Sequence, residues 1–87
     1  MNEQIVPTPV DSIDPAALRV FRDEMKKRAI DLSKYDLFFF ATETSYIIVT
    51  SYQQKPPGLR GSLAEFPDYE VEILRKDNSI KSITIAR

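Results

Sequence analysis

The stretch Tyr35-Asp-Leu-Phe-Phe-Phe-Ala-Thr-Glu-Thr-Ser-Tyr-Ile-Ile-Val-Thr-Ser-Tyr52 constrains the fold more than any other part of the chain. Leu37–Ala41 and Tyr46–Tyr52 are rich in aromatic and β-branched residues, which suit a pleated, half-buried surface. The polar residues Thr42–Ser45 between them make a turn, so the stretch reads as a β-hairpin. A strand covered on one side alternates apolar and polar residues. These strands do not: Leu37, Phe39 and Ala41 are matched by Phe38 and Phe40, and Tyr46 and Ile48 by Ile47 and Val49. The hairpin therefore calls for cover on both faces.

The rest of the chain supplies one helix for this; the second face is left to another subunit, the preferred reading, or to the N-terminal arm folding over it with Ile5 and Val6. Residues 1–13 read as an extended arm, because Pro7 and Pro9 fix φ and bias their neighbours toward extended backbone. Ile5, Val6, Val10 and Ile13 favour an arm strapped along the sheet. Asp14-Pro15 then opens a helix, with Asp14 as N-cap and Pro15 at the first position, where a missing N–H costs nothing. Leu18, Phe21, Met25, Ala29 and Leu32 follow at steps of three and four and place the helix at about 14–33. Asp23–Lys27 and Glu24–Arg28 are i,i+4 pairs in the favoured order on its wet face.

After a long connection over 53–67, broken by Pro56-Pro57-Gly58 and Gly61-Ser62, two alternating runs at 68–75 and 80–86 read as a second hairpin. A three-residue loop, Lys76-Asp77-Asn78, pairs Ile73 with Lys81, Val71 with Ile83 and Tyr69 with Ile85, which keeps the apolar face together. Such a loop ends in a left-handed residue, a conformation Asn tolerates, so Asn78 is expected at positive φ. The expected architecture is α+β: an arm over 1–13, then a single domain over 14–87, with one N-terminal helix packed on a curled four-stranded antiparallel sheet of two hairpins.

Composition excludes several classes of function. The chain has 87 residues, no cysteine and no histidine. It therefore lacks disulfides, thiolate chemistry and the side chain best suited to proton transfer near neutral pH. Its net charge of −1 gives no global field toward nucleic acid or anionic lipid. The N-terminus has neither the basic nor the apolar region of a signal peptide, and the apolar runs fall far short of the roughly 20 residues that span a bilayer. A cytoplasmic protein with no cofactor, no metal, no nucleic-acid partner and no membrane contact is expected.

Five groups of residues invite a functional reading. Lys26-Lys27-Arg28 with Arg19 and Arg22 is the densest basic region, but Asp23, Glu24 and Asp31 are interleaved, as on a solvated helix face. Tyr46, Tyr52, Tyr69, Phe38 and Phe40 have the composition of a base- or sugar-stacking platform, without the positive groove that single-strand binders add. Packing is the better reading of them. Glu70 and Glu72 project the same way from one strand and, with Asp68, offer oxygen ligands or an acid/base pair. A solvated strand face is the better reading of them. Gly58-Leu-Arg-Gly-Ser62 lacks the spacing of a phosphate loop, and protein contact by Lys55, Leu59, Arg60 and Phe66 of that connection is the more credible role. The fifth group, Phe38, Phe40, Ile47 and Val49, is the surplus apolar face.

The hairpin Phe66-Pro-Asp-Tyr-Glu-Val-Glu-Ile-Leu-Arg-Lys-Asp-Asn-Ser-Ile80, following one helix and a first hairpin, resembles the cystatin-like α+β group, including its small NTF2-like domains and bacterial immunity proteins. The likeness lies mainly in residues 66–87. Two departures stand out: the turn has Asp77-Asn78-Ser79 where a glycine is usual, and the chain is too short for the several helices of a full NTF2 cone; in addition, Gln53-Gln-Lys-Pro-Pro-Gly58 is not the protease-binding loop of cystatins. The resemblance implies a non-catalytic binding or immunity role in a bacterial cytoplasm, without protease inhibition.

Together these readings give a non-enzymatic protein acting through protein–protein contact as a homodimer, with Phe38, Phe40, Ile47 and Val49 at the interface. The competing expectation is a small hydrophobic-ligand binder with a pocket between helix and sheet, lined by Phe39, Ile48 and Tyr69.

Overall fold

A computed structural model describes residues 5–54 and 66–85. The chain forms β1 (Val6–Pro7), α1 (Pro15–Lys27), β2 (Tyr35–Ala41), β3 (Ser45–Tyr52), β4 (Tyr69–Leu74) and β5 (Ile80–Ile85). The sheet is antiparallel throughout, with its five strands in sequence order, and it is open rather than closed. This corrects the expected four strands. The additional one is the arm itself: Val6 pairs with Ala41 and Pro7 with Phe40, and the Thr8 N–H donates to the Phe39 carbonyl at 2.9 Å. A proline is tolerated there because the strand lies at the sheet edge.

Asp14 caps α1, its Oδ1 accepting from the Ala16 N–H at 2.9 Å, with Pro15 in the first turn. The helix ends at Lys27, well short of the expected residue 33. Ala29 takes φ 59°, the Ile30 N–H donates to the Met25 carbonyl and the Ala29 N–H to that of Lys26. This is a Schellman stop, and it normally uses glycine at the left-handed position. Ala29 and Leu32 therefore lie beyond the helix; Leu32 begins a short 3-10 turn, Leu32–Lys34, capped by Asp31.

Ala17, Phe21 and Met25 of α1 lock against Tyr46, Ile48, Val71 and Ile73, with Ile13 closing one end. Alanine at position 17 lets helix and sheet approach closely. Each large side chain sealed here contributes on the order of 1.5–3 kcal/mol.

The β4–β5 hairpin has Asn78 at φ 58°, as the turn chemistry requires. Val71 pairs with Ile83 and Tyr69 with Ile85, but Ile73 pairs with Ile80 rather than Lys81. A bulge at Glu72/Ile73 makes the difference. Without it Lys81 would point into the core and Ile80 out of it. The extra residue turns Ile80 inward and sends the Lys81 ammonium to within 3.6 Å of Glu72 Oε2. Asn78 also ties this turn to the helix start, its Nδ2 donating to Asp14 Oδ2 at 3.3 Å.

Candidate functional site

Side chains alternate along each strand, so the residues that do not face α1 share the opposite side of the sheet. They are Pro7 of β1, Asp36, Phe38 and Phe40 of β2, Ser45, Ile47, Val49 and Ser51 of β3, Glu70, Glu72 and Leu74 of β4, and Ser82 and Thr84 of β5. The register places Phe38 beside Val49 and Phe40 beside Ile47, so the four expected interface residues form one patch. Phe38 is 49% exposed, while Phe40, Ile47 and Val49 are half-buried, partly by one another. The next pairs across are Val49 with Glu70 and Ile47 with Glu72. This face is thus divided: apolar over the middle of β2 and β3, polar at their far ends and over most of β4 and β5.

At the outer edge of the apolar half, Pro7, Pro9 and Val10 flank Leu37–Phe40 around a shallow groove of about 510 Å³. The sequence signals the arm through Ile5, Val6, Val10 and Ile13 but not its strand, because a two-residue strand built around a proline falls below any periodicity.

The acidic pair does not act as a pair. Glu72 Oε2 accepts the Ser45 hydroxyl at 2.7 Å and faces Lys81, whereas Glu70 is exposed. Glu72 is thereby committed to holding β3, β4 and β5 together. Asp68 is buried, and its Oδ1 accepts the Tyr52 N–H at 2.8 Å. Among the described residues no group of three or more His, Cys, Asp or Glu side chains is placed to hold a metal ion.

The aromatic residues divide between the two sides of the sheet and make no single platform. Phe38 and Phe40 lie on the open side; Tyr46, Tyr52 and Tyr69 occupy helix-side positions. Tyr46 is buried beneath the Arg75 guanidinium, 5.0 Å from its ring. Tyr52 stacks on Phe66 at 4.4 Å and meets Tyr35 edge-on at 5.8 Å, and the Lys34 ammonium sits 5.3 Å from the Phe66 ring. Phe66 is thereby fixed to the body; Lys55, Leu59 and Arg60 lie outside the described residues. The Tyr35 hydroxyl donates to the Pro67 carbonyl at 3.1 Å. Burial pushes the Tyr35 phenol above its ordinary pKa, with further contributions from Tyr69, Asp68 and Tyr52. Asp31 and Asp77 titrate below the usual carboxylate range, each held by the hydroxyl and then the N–H of a serine two residues on, Ser33 and Ser79.

Arg19, Arg22, Lys26, Lys27 and Arg28 are all exposed, and Arg28 closes on Glu24 at 2.9 Å, one turn back. Beyond the helix end a cavity of about 310 Å³ lies against Ile30, Tyr35, Phe66 and Tyr69, while around Ile48 the space between helix and sheet is taken by side chains. Ile48, proposed on sequence to line a pocket there, is sealed between Phe21, Met25, Val71 and Ile73, with Phe39 packed alongside. No helix among the described residues is long and apolar enough to cross a membrane. No protein-family model matches the chain, and no curated protein or solved structure matches it.

Proposed function

We propose that this protein is a non-catalytic binding module that works by protein–protein contact through the open side of its sheet, with a second copy of the chain as first occupant. One observation carries the reading: Phe38, Phe40, Ile47 and Val49 form a contiguous apolar patch on the side away from α1, and Phe38 alone is 49% exposed. Patches of this kind mark interaction surfaces in small proteins. An apolar centre with Glu70 beside it also has the layout of an interface, with a dry core and a polar rim. Two copies stacked about a two-fold axis would cover both patches at once. The cystatin-like resemblance and the lack of histidine and cysteine agree with a binding role.

Sedimentation equilibrium at micromolar concentration, on the native chain and on Phe38→Glu/Ile47→Glu, tests it. The native chain is expected to assemble and the double variant to lose mass while keeping its circular-dichroism spectrum. A native monomer, or a variant whose mass is unchanged, overturns the reading.

A further inference from the structure

The two edges of the sheet are finished differently. At β1 the strand is two residues long and contains Pro7, which has no N–H to offer a further strand. At β5 the edge runs for six residues, Ile80–Ile85, without proline or glycine. The direction of its hydrogen-bonding groups follows from the turn. The Leu74 N–H donates to the Ser79 carbonyl, so Leu74, Glu72 and Glu70 bond toward β5 and Val71 and Tyr69 toward β3. Ile83 and Ile85, opposite Val71 and Tyr69, therefore aim their N–H and C=O groups outward. The side chains of both lie on the helix side, where Ile85 is 57% exposed.

The geometry points to β5 as a self-pairing edge: two copies join β5 to β5 in antiparallel register about a two-fold axis at Thr84, making one continuous sheet. This interface is separate from the open-side patch and does not depend on it. The strand complements itself. With Thr84 on the axis, Ile83 of each copy faces Ile85 of the other, so the outward groups meet in hydrogen-bonded pairs and the isoleucines form one row. An axis at Ile83 would instead set Ile85 against Lys81. No carboxylate lies on β5, and its one charge, Lys81, is drawn aside to Glu72 by the bulge. The two Lys81 side chains would sit six residues apart along the paired strands, about 20 Å, more than twice the Debye length at physiological ionic strength. The helices do not obstruct the pairing. Each α1 lies over β4, so the two would be three strand spacings apart, about 14 Å, against a helix diameter of about 10–12 Å. The row of isoleucines floors the space between them.

The chain has no cysteine, so a single introduced one is a clean reporter. At the axis, Thr84 faces its own copy as a non-hydrogen-bonded pair with Cα atoms about 4.5 Å apart, within disulfide reach. Ser82 lies on the same face but about 13 Å from its copy. Under mild oxidation Thr84→Cys is expected to form a covalent dimer at least tenfold faster than Ser82→Cys. Adding Phe38→Glu, which removes the open-side contact, is expected to leave that rate unchanged. Equal rates for the two cysteines, no cross-link at Thr84→Cys, or a cross-link abolished by Phe38→Glu would each overturn the edge pairing. The open-side reading is judged separately, by the mass of Phe38→Glu/Ile47→Glu.

Discussion

On the side of the sheet facing α1, Ile48, Val71 and Ile73 are fully sealed; on the other, neighbours in the same strands leave Phe38 half exposed beside Phe40, Ile47 and Val49. In β2 and β3 the side chains of the two sides are of one kind, whereas β4 and β5 turn Glu70, Glu72, Ser82 and Thr84 to the open side. Within β2 and β3 the sides differ in what lies against them, because one amphipathic helix can cover only one. Over β3 and β4 the helix side is sealed within the chain, so its residues there serve stability. The open side carries apolar area that the fold does not require, which is why we assign it to binding.

The sharpest way to break this comparison is to truncate one residue on each side. Ile48→Ala should cost about 2–5 kcal/mol, enough to threaten folding in so small a domain. Phe38→Ala, though it removes a larger side chain, should cost under about 1 kcal/mol in urea titrations at concentrations where the chain is monomeric. Comparable losses would mean that the open side is part of the core. A second test concerns Asp68, the one buried acid among the described residues. Asp68→Ala strands the Tyr52 N–H and should cost about 1–3 kcal/mol, whereas Glu70→Ala on the open side should change little. Third, Ala29→Gly should stabilise the chain by about 0.5–1 kcal/mol, because Ala29 holds a left-handed conformation that glycine adopts freely; a loss would mean that the methyl group packs usefully.

The smallest effect belongs to pH. Tyr35 is neutral in both folded and unfolded chains below its ordinary pKa of 10.0, where the benefit of burying it is fully present. Above that, the unfolded phenol ionises first, and stability falls as pH climbs through the raised folded value. The urea midpoint should therefore drop more steeply between about pH 9 and 11 in the native chain than in Tyr35→Phe. Parallel curves would show that the phenol is not desolvated as the structure has it.

What the sequence disclosed follows the same division. Strong local signals were legible: the Asp14-Pro15 cap, the first hairpin with its two-sided apolar character, and the left-handed Asn78. The helix end was hidden because Ala29 stands where a glycine would have announced the stop, while Leu32 continues the stripe by coincidence of spacing. The first strand was hidden because two residues have no period. The bulge was hidden because it is a tertiary solution: keeping both Ile80 and Ile83 inward requires one extra residue, and only packing imposes that demand. That Phe38, Phe40, Ile47 and Val49 share one side of the sheet was legible, since alternation alone decides which side each one takes. The engagement of Glu72 by Ser45 was not legible, as it joins residues 27 positions apart.

The contacts at the far end of β3 and the start of β4 have a consequence for how the protein can change. Asp68 holds the Tyr52 N–H, Thr50 Oγ1 accepts the Tyr69 N–H at 2.8 Å, and Phe66 stacks on Tyr52. The two strands are thus clasped at the base of the connection between them, independently of what the connection contains. Closing a longer loop on a fixed base costs only about 0.6 kcal/mol per doubling of its length. The β3–β4 connection is therefore where this chain can gain, lose or exchange residues with least disturbance to its fold, and where new specificity is most readily grafted by evolution or by design.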